Sequence, residues 1–120
     1  MITEQQAQNF ANDWIAAWNA HDLERVMAHY DENVEYFSMF LLKLTDNKAG
    51  MLQGKENVKQ YLAKGLAAYP DLQFTLFSVF VGVKSITLHY QSVNNLIAAE
   101  VFELNEQGLV ERVQCHYAQT

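Results

Sequence analysis

The second half of the chain consists of four strand-like segments that are separated by short turns. Residues 72–81, 84–93, 96–104 and 109–118 are rich in Val, Ile, Leu, Phe, Thr and Tyr. The turns between them are Gly82-Val83, Asn94-Asn95 and Asn105-Glu106-Gln107-Gly108. Because connections this short join antiparallel neighbours, the pattern predicts an antiparallel meander.

Helical patterns occupy most of the first half. Thr3 and Gln6 form a capping box, and apolar residues then recur at helical spacing through about residue 20. Residues 22–30 predict a short second helix and residues 54–68 a third, with a strand over residues 34–37 between them. Residues 38–53 are predicted to form an irregular hairpin or flap. Helices followed by a meander indicate the α+β class.

Composition limits the partners of the chain. Its length of 120 residues predicts one domain over residues 1–120. The residues are 50% hydrophobic and 18% charged, which leaves apolar area for a pocket or a dimer interface. The net charge of −6 argues against nucleic acid. The sequence shows no signal-peptide pattern and no apolar run of membrane length, so no membrane partner is expected. Its one cysteine, Cys115, fits a reducing compartment, and a cytoplasmic location is therefore expected.

Residues 14–26, WIAAWNAHDLERV, and residues 30–35, YDENVE, resemble the opening of the NTF2-like superfamily, in its SnoaL-like and ketosteroid-isomerase-like branch. Gly54 before a helix, residues 69–72 before a strand and a hairpin at residues 108–111 extend the resemblance over nearly the whole chain. It implies a cystatin-like cone, with three N-terminal helices packed on a strongly curved antiparallel sheet, and frequent dimerisation. It also implies a pocket, but no single activity. No cofactor is expected, since no Gly-rich loop with a nucleotide-binding fingerprint follows a strand.

The resemblance to ketosteroid isomerase can be followed residue by residue. Trp14 falls where that enzyme has its oxyanion-hole tyrosine, and Tyr36 where it has its general-base aspartate. Glu100 falls where the enzyme has a protonated aspartic acid. Only the last position keeps an acid, so the resemblance does not carry the steroid isomerase mechanism over.

Strand register gives Glu100 a predicted partner. If Asn94-Asn95 is a two-residue turn, His89 lies directly opposite Glu100 on one face. The same counting places Val113 opposite Glu100 across the last turn, and Leu76 across from His89. A carboxyl and an imidazole among apolar neighbours would titrate as a pair suited to acid/base chemistry, whereas the alternative is a structural ion pair.

A set of aromatic and apolar residues is predicted to line the pocket. Its members are Trp14, Trp18, Tyr30, Tyr61, Phe102 and Val113, with Tyr36 as a phenol that orients a substrate oxygen. The alternative for the two tryptophans is ordinary core packing. No His-x-x-x-His, paired cysteine or aspartate cluster occurs at ligand spacing, so no metal is expected.

The outer face of the sheet is predicted to be apolar and to be covered by a second copy of the chain. Its predicted members are Phe77, Val79, Val81, Ile86, Leu88, Tyr90, Ile97 and Val101. His116 is expected to be part of this interface rather than of the pocket.

Three kinds of function stay open for the chain, of which the first two use a small apolar ligand in the pocket. One is a cofactor-independent proton-transfer enzyme of isomerase, cyclase or dehydratase type, with Glu100, His89 and Tyr36 as catalytic residues. The second is a non-catalytic ligand-binding protein, and the third is a dimeric interaction module whose cone is filled by its own aromatic residues.

Overall fold

Residues 1–118, which are the part of the chain that the computed structural model describes, form four α-helices and six β-strands. The helices are α1 (Glu4–Asn19), α2 (Leu23–Met27), α3 (Met39–Leu44) and α4 (Lys55–Ala68). The strands are β1 (Tyr30–Phe37), β2 (Met51–Gln53), β3 (Thr75–Val81), β4 (Ser85–Gln91), β5 (Ile97–Leu104) and β6 (Val110–Ala118). The predicted α+β class is confirmed. Within these residues, no helix has both the length and the hydrophobicity of a membrane span.

The first helix begins at the capping box that the sequence predicts. Thr3 Oγ1 accepts a 3.0 Å hydrogen bond from Gln6 N, and Gln6 Oε1 accepts one of 2.8 Å from Thr3 N. The apolar face of α1 is buried against the sheet through Ala7, Phe10, Ala11, Trp14, Ala17 and Trp18. Helical spacing therefore places both tryptophans of the chain inside the fold.

The six strands form one sheet in the order β2-β1-β6-β5-β4-β3. Every neighbouring pair is antiparallel except β1 and β6, which run parallel and are connected through most of the chain. The predicted meander over β3 to β6 is therefore confirmed, but the prediction that the whole sheet is antiparallel is wrong. Bulges interrupt the β1–β6, β3–β4 and β5–β6 ladders, and such bulges bend strands and help a sheet to curve.

Residues 38–53 contain a helix that the sequence patterns do not predict. Ser38 caps α3 by accepting a hydrogen bond from Phe40 N, after which a turn leads into β2. Strand β2 pairs with β1, so the segment does return as a hairpin, with Leu52 opposite Tyr36. Strand β1 begins at Tyr30, which the periodicity assigns to the second helix.

The turn between β4 and β5 differs from the prediction and shifts the register by one residue. Gln91 pairs with Ile97, and Ser92 N donates a 2.7 Å hydrogen bond to Leu96 O, so the loop is longer than two residues. Asn94 and Asn95 both adopt positive φ angles inside this longer loop. A one-residue shift moves every side chain to the other face of a strand.

The prediction that His89 lies opposite Glu100 is therefore wrong. Glu100 pairs with Leu88, whereas His89 pairs with Ala99 on the outer face. On the other side of His89 the partner is Ser78 rather than Leu76, because the ladder starts with Val81 opposite Ile86, further from the turn than the sequence predicts.

The pairing of β5 with β6 is displaced by two residues from the prediction. Cys115, and not Val113, lies opposite Glu100, while Val113 pairs with Phe102. A shift of two residues keeps the same face of the strand, so Val113 still points inward.

Because of these differences in register, the outer sheet face has a different composition from the predicted one. Ile86, Leu88 and Tyr90, predicted to lie there, are buried in the core, and Val79 packs against it. The outer face is instead a mixture of polar and apolar residues that includes Phe77, Phe80, Thr87, His89, Val101 and His116.

Candidate ligand pocket and its buried carboxyl

A cavity of about 860 Å³ lies between the inner face of the sheet and the helices. Its buried lining is formed by Trp14, Trp18, Tyr30, Tyr36, Leu62, Leu72, Phe74, Tyr90 and Glu100. Exposed lining residues mark the mouth: Met39, Lys43, Leu44, Thr45, Lys64, Ala68, Tyr69, Asn94 and Ala118. The interior is mainly apolar, which suits a small ligand with few polar groups.

Glu100 is the buried acid of this cavity. It stands in the middle of β5 with 4% of its surface exposed. Tyr90 Oη, on the neighbouring strand, donates a 2.7 Å hydrogen bond to Glu100 Oε1. Burial raises the pKa of Glu100 to about 7, against the lowering effect of the hydrogen bonds from Tyr90 and Cys115. Near neutral pH this carboxyl can therefore both donate and accept a proton.

A tryptophan and a tyrosine meet on the same inner surface. Trp14 Nε1 donates a 3.3 Å hydrogen bond to the hydroxyl oxygen of Tyr30. Burial and the nearby Glu100 charge raise the pKa of Tyr30 well above its usual value, so the phenol stays protonated. Since its oxygen accepts from Trp14, the hydroxyl proton of Tyr30 can be donated to another group.

Tyr36, Cys115 and Tyr117 form a second group of donors beside Glu100. Burial is the main cause that raises the pKa of Tyr36 and of the Cys115 thiol well above their usual values, and Tyr117 is affected in the same way. All three therefore keep their protons at neutral pH. Near Glu100 the pocket consequently offers several O–H donors, and the Cys115 thiol lies opposite Glu100 on the neighbouring strand.

Aromatic packing holds the inner wall in place. Phe74 stacks on Trp14 with ring centroids 5.9 Å apart, and Trp14 meets Tyr90 edge to face at 5.4 Å. Asn19 fixes Phe74, because its side-chain amide exchanges hydrogen bonds of 2.7 and 3.0 Å with the Phe74 backbone N–H and C=O. Trp18 Nε1 has no hydrogen-bond partner within residues 1–118.

The structure brings six of the nine predicted site residues to the cavity wall: Trp14, Trp18, Tyr30, Tyr36, Tyr61 and Glu100. Phe102 and Val113 are fully buried in the core and are not among the residues that line the cavity. His89 lies on the outer face, with its ring 5.1 Å from that of Phe77. It therefore cannot act as the acid/base partner of Glu100.

Sequence reasoning missed Tyr90, Cys115 and Tyr117 as neighbours of Glu100. The signal for Tyr90 is present in β4, where Ile86, Leu88 and Tyr90 alternate with polar residues and so mark the buried face. The two-residue turn assignment contradicts this alternation. Cys115 and Tyr117 carry no comparable signal, since their neighbours in β6 alternate less clearly.

The described residues do not contain a cluster of three or more His, Cys, Asp or Glu side chains that could hold a metal ion. At its inner end the cavity offers one carboxyl and several phenols in an apolar setting. This set can orient a ligand oxygen and exchange a proton with it.

Comparison with known proteins agrees with this architecture. A family model described as the SnoaL-like domain matches residues 11–111. A SnoaL-like protein of unknown function from Burkholderia thailandensis is 36% identical, with a TM-score of 0.96 and 98% of each chain covered. No protein of curated function matches the chain.

More distant structures share the fold alone. An NTF2-like protein of unknown function from Cytophaga hutchinsonii has a TM-score of 0.73 at 14% identity, covering 98% of this chain and 95% of its own. SalBIII, an epoxide hydrolase/cyclase-like enzyme of pyran ring formation in salinomycin, has a TM-score of 0.76 at 14% identity, covering 99% and 95%. The resemblance predicted from residues 14–35 is confirmed by these matches.

Proposed function

Since the chain belongs to the SnoaL-like domain family, we propose that its cavity binds a small, largely apolar molecule and that Glu100 exchanges a proton with it. The observation that carries this proposal is the Glu100 carboxyl, buried at an apolar cavity and held by Tyr90. A carboxyl with a pKa of about 7 exists in both protonation states at neutral pH. That property suits a group which must take up a proton and return it.

The cavity favours a ligand with an apolar body and a single oxygen near Glu100. Trp14, Trp18 and Phe74 provide broad apolar contact, whereas the phenols of Tyr30 and Tyr36 provide donors. These donors suit an acceptor such as a carbonyl oxygen. No cofactor enters this proposal, because proton transfer next to a carbonyl needs only an acid/base group and stabilisation of the oxygen.

The proposed step uses the two oxygens of Glu100 differently. Tyr90 holds Oε1, so Oε2 is the oxygen that removes a proton from the carbon beside the carbonyl. The electron pair of the C–H bond moves into the carbonyl and forms an enolate, whose oxygen accepts hydrogen bonds from Tyr30 or Tyr36. The proton on Oε2 then returns to the same or another carbon, giving exchange or isomerisation.

Glu100 both removes the proton and returns it in this step. It is the single Asp or Glu among the cavity-lining residues that the structure describes. An isomerase type of reaction therefore fits better than one requiring a separate acid and base. Cyclase and dehydratase reactions fit when the ligand itself supplies the second group.

Hydrogen–deuterium exchange tests the proposal even when the product of the reaction is not identified. Cyclic ketones and steroid enones are incubated with the protein in D₂O, and uptake of deuterium beside the carbonyl is followed by NMR. The wild type should accelerate exchange for at least one class, and Glu100→Gln should abolish it. No acceleration above the protein-free rate for any ketone would contradict the proton-transfer step.

Non-catalytic ligand binding is the second candidate, and the position of His89 favours it. With His89 on the outer face, Glu100 lacks the imidazole partner that the sequence predicted. The cavity would then act as a carrier site, in which the Tyr90–Glu100 hydrogen bond only satisfies a buried acid. This candidate predicts saturable binding without deuterium exchange, and binding that survives Glu100→Gln.

We also propose that the outer sheet face pairs with a second copy of the chain. Phe77 is 48% exposed and Phe80 is 56% exposed, although apolar rings of this size gain stability when they leave water. Val101 stands between Thr87 and Gln114 on the same face. A two-fold axis would place this patch against its own copy.

A further inference from the structure

The basic residues of the chain divide into two groups. Arg25, Lys59, Lys84 and Arg112 form ion pairs with acidic side chains. The other four, Lys43, Lys48, Lys55 and Lys64, are not in an ion pair with any residue from 1 to 118. Two of these four, Lys43 and Lys64, line the cavity.

Both lysines stand at the mouth of the cavity and are exposed to solvent. Lys43 comes from α3 and Lys64 from α4, so the two charges reach the opening from different helices. The Lys43 ammonium lies 5.9 Å from the centroid of the Phe40 ring, which itself lines the cavity. At an exposed site such a contact attracts the ammonium weakly toward the ring, which favours its position at the opening.

The positive charges of Lys43 and Lys64 contrast with the negative charge of the chain as a whole. The chain carries a net charge of −6, so its overall field repels anions. At the mouth the local charge is positive, because Lys43 and Lys64 are the charged residues there among the described lining residues. The other charged group of the cavity is Glu100, which is buried.

We infer that the ligand is an organic anion with an apolar body, whose carboxylate or similar group is held at the mouth by Lys43 and Lys64. This inference rests on the proposed function and extends it by naming the ligand class. The apolar body fills the aromatic interior, and the end opposite the anion reaches Glu100.

The arrangement also fixes the direction in which the ligand enters. An anionic group is disfavoured at the inner end, because the described residues that line it include no cation and Glu100 carries part of a negative charge at neutral pH. At the mouth the same group keeps its water and gains two ammonium partners. The reacting end of the molecule is therefore its uncharged end.

A matched pair of fluorescent probes tests the inference. 8-Anilinonaphthalene-1-sulfonate and N-phenyl-1-naphthylamine share an aromatic body, but only the first carries an anionic group. Both are titrated at low ionic strength into the wild type, Lys43→Met, Lys64→Met and the double variant. Methionine keeps most of the apolar stem of lysine while removing its charge.

The double variant should weaken binding of the sulfonate by about fivefold, and each single variant by about twofold, because exposed ion pairs contribute modestly. Added salt should reduce the difference. Binding of the neutral probe should be unchanged. Lys48→Met is the control, since Lys48 is exposed and unpaired in the same region but does not line the cavity.

Equal sulfonate affinities in the wild type and the double variant would overturn the inference, even if both probes bind. In that case the neutral probe would still support the apolar pocket, so the proposed function would stand. Failure of both probes to bind the wild type would overturn the pocket and the anion site together.

Discussion

Tyr90 and Glu100 are joined by a 2.7 Å hydrogen bond from the tyrosine hydroxyl to Oε1 of the carboxyl, between adjacent strands of the sheet. Both residues are buried, with 2% and 4% of their surfaces exposed. This bond fixes one oxygen of Glu100, and in the proposed step the other oxygen meets the ligand. It also supplies a donor that partly offsets the cost of placing a carboxyl among aromatic rings.

Tyr90→Phe should raise the pKa of Glu100 above about 7, because the hydrogen bond from Tyr90 is the largest of the influences that lower it. The free energy of unfolding should fall by about 1–2 kcal/mol, since a buried oxygen loses its donor. A ¹³C NMR titration of the glutamate carboxyls measures the first effect, and urea denaturation the second.

Tyr69→Phe is the control for this substitution, because Tyr69 is at the exposed mouth and its hydroxyl is not bonded to Glu100. An unchanged or lowered Glu100 pKa in Tyr90→Phe would show that the tyrosine does not stabilise the ionised carboxyl.

Glu100 should make the protein less stable as the pH rises. Its folded-state pKa of about 7 lies above the reference value of 4.5, so between these values the folded state binds a proton that the unfolded state has lost. The unfolding free energy should therefore decrease from pH 4.5 to pH 7 and level off above that. For this group the decrease amounts to about 3 kcal/mol at most.

Glu100→Gln isolates this contribution, because the amide does not titrate and can still accept from Tyr90. The difference in unfolding free energy between the wild type and the variant should change with pH over this window. If the unfolding free energies of the two proteins changed equally with pH, this would contradict a raised pKa of Glu100.

The proposed dimer predicts a particle of twice the 13.8 kDa chain mass. Val101→Glu should convert it to a monomer, because the substitution places a charge at the centre of the outer face. Size-exclusion chromatography with light scattering at micromolar concentration gives the mass directly. Val83→Glu should leave the dimer intact, since Val83 is 76% exposed in the turn between β3 and β4. A monomeric wild type would refute the interface.

Periodicity and capping were sufficient to predict most of the fold. The capping box at Thr3 and the spacing of Trp14 and Trp18 located α1 and its buried face, since helix geometry repeats regularly along the chain. The four C-terminal strands also appear close to their predicted positions. The short helix α3 was missed because its apolar run is too brief to distinguish a helix from a strand.

The surroundings of Glu100 were predicted less well, for a reason that lies in the turns. A side-chain neighbour across a sheet depends on register, and register depends on loop length and bulges. The asparagines at 94 and 95 take positive φ angles as in a two-residue turn, yet they lie within a longer loop. Because the register differs from the prediction by one residue, Tyr90 and not His89 lies on the inner face.

A thermal-shift titration with steroids, phenols, cyclic ketones and fatty acids tests whether the cavity binds a small molecule, because a ligand that binds the native state raises its melting temperature. We expect a dose-dependent rise that is confined to one chemical class. The rise should be smaller in Trp14→Ala, measured against the melting temperature of the unliganded variant. If no class of compound raised the melting temperature, the cavity would not be a ligand pocket, and the proposed function would be contradicted.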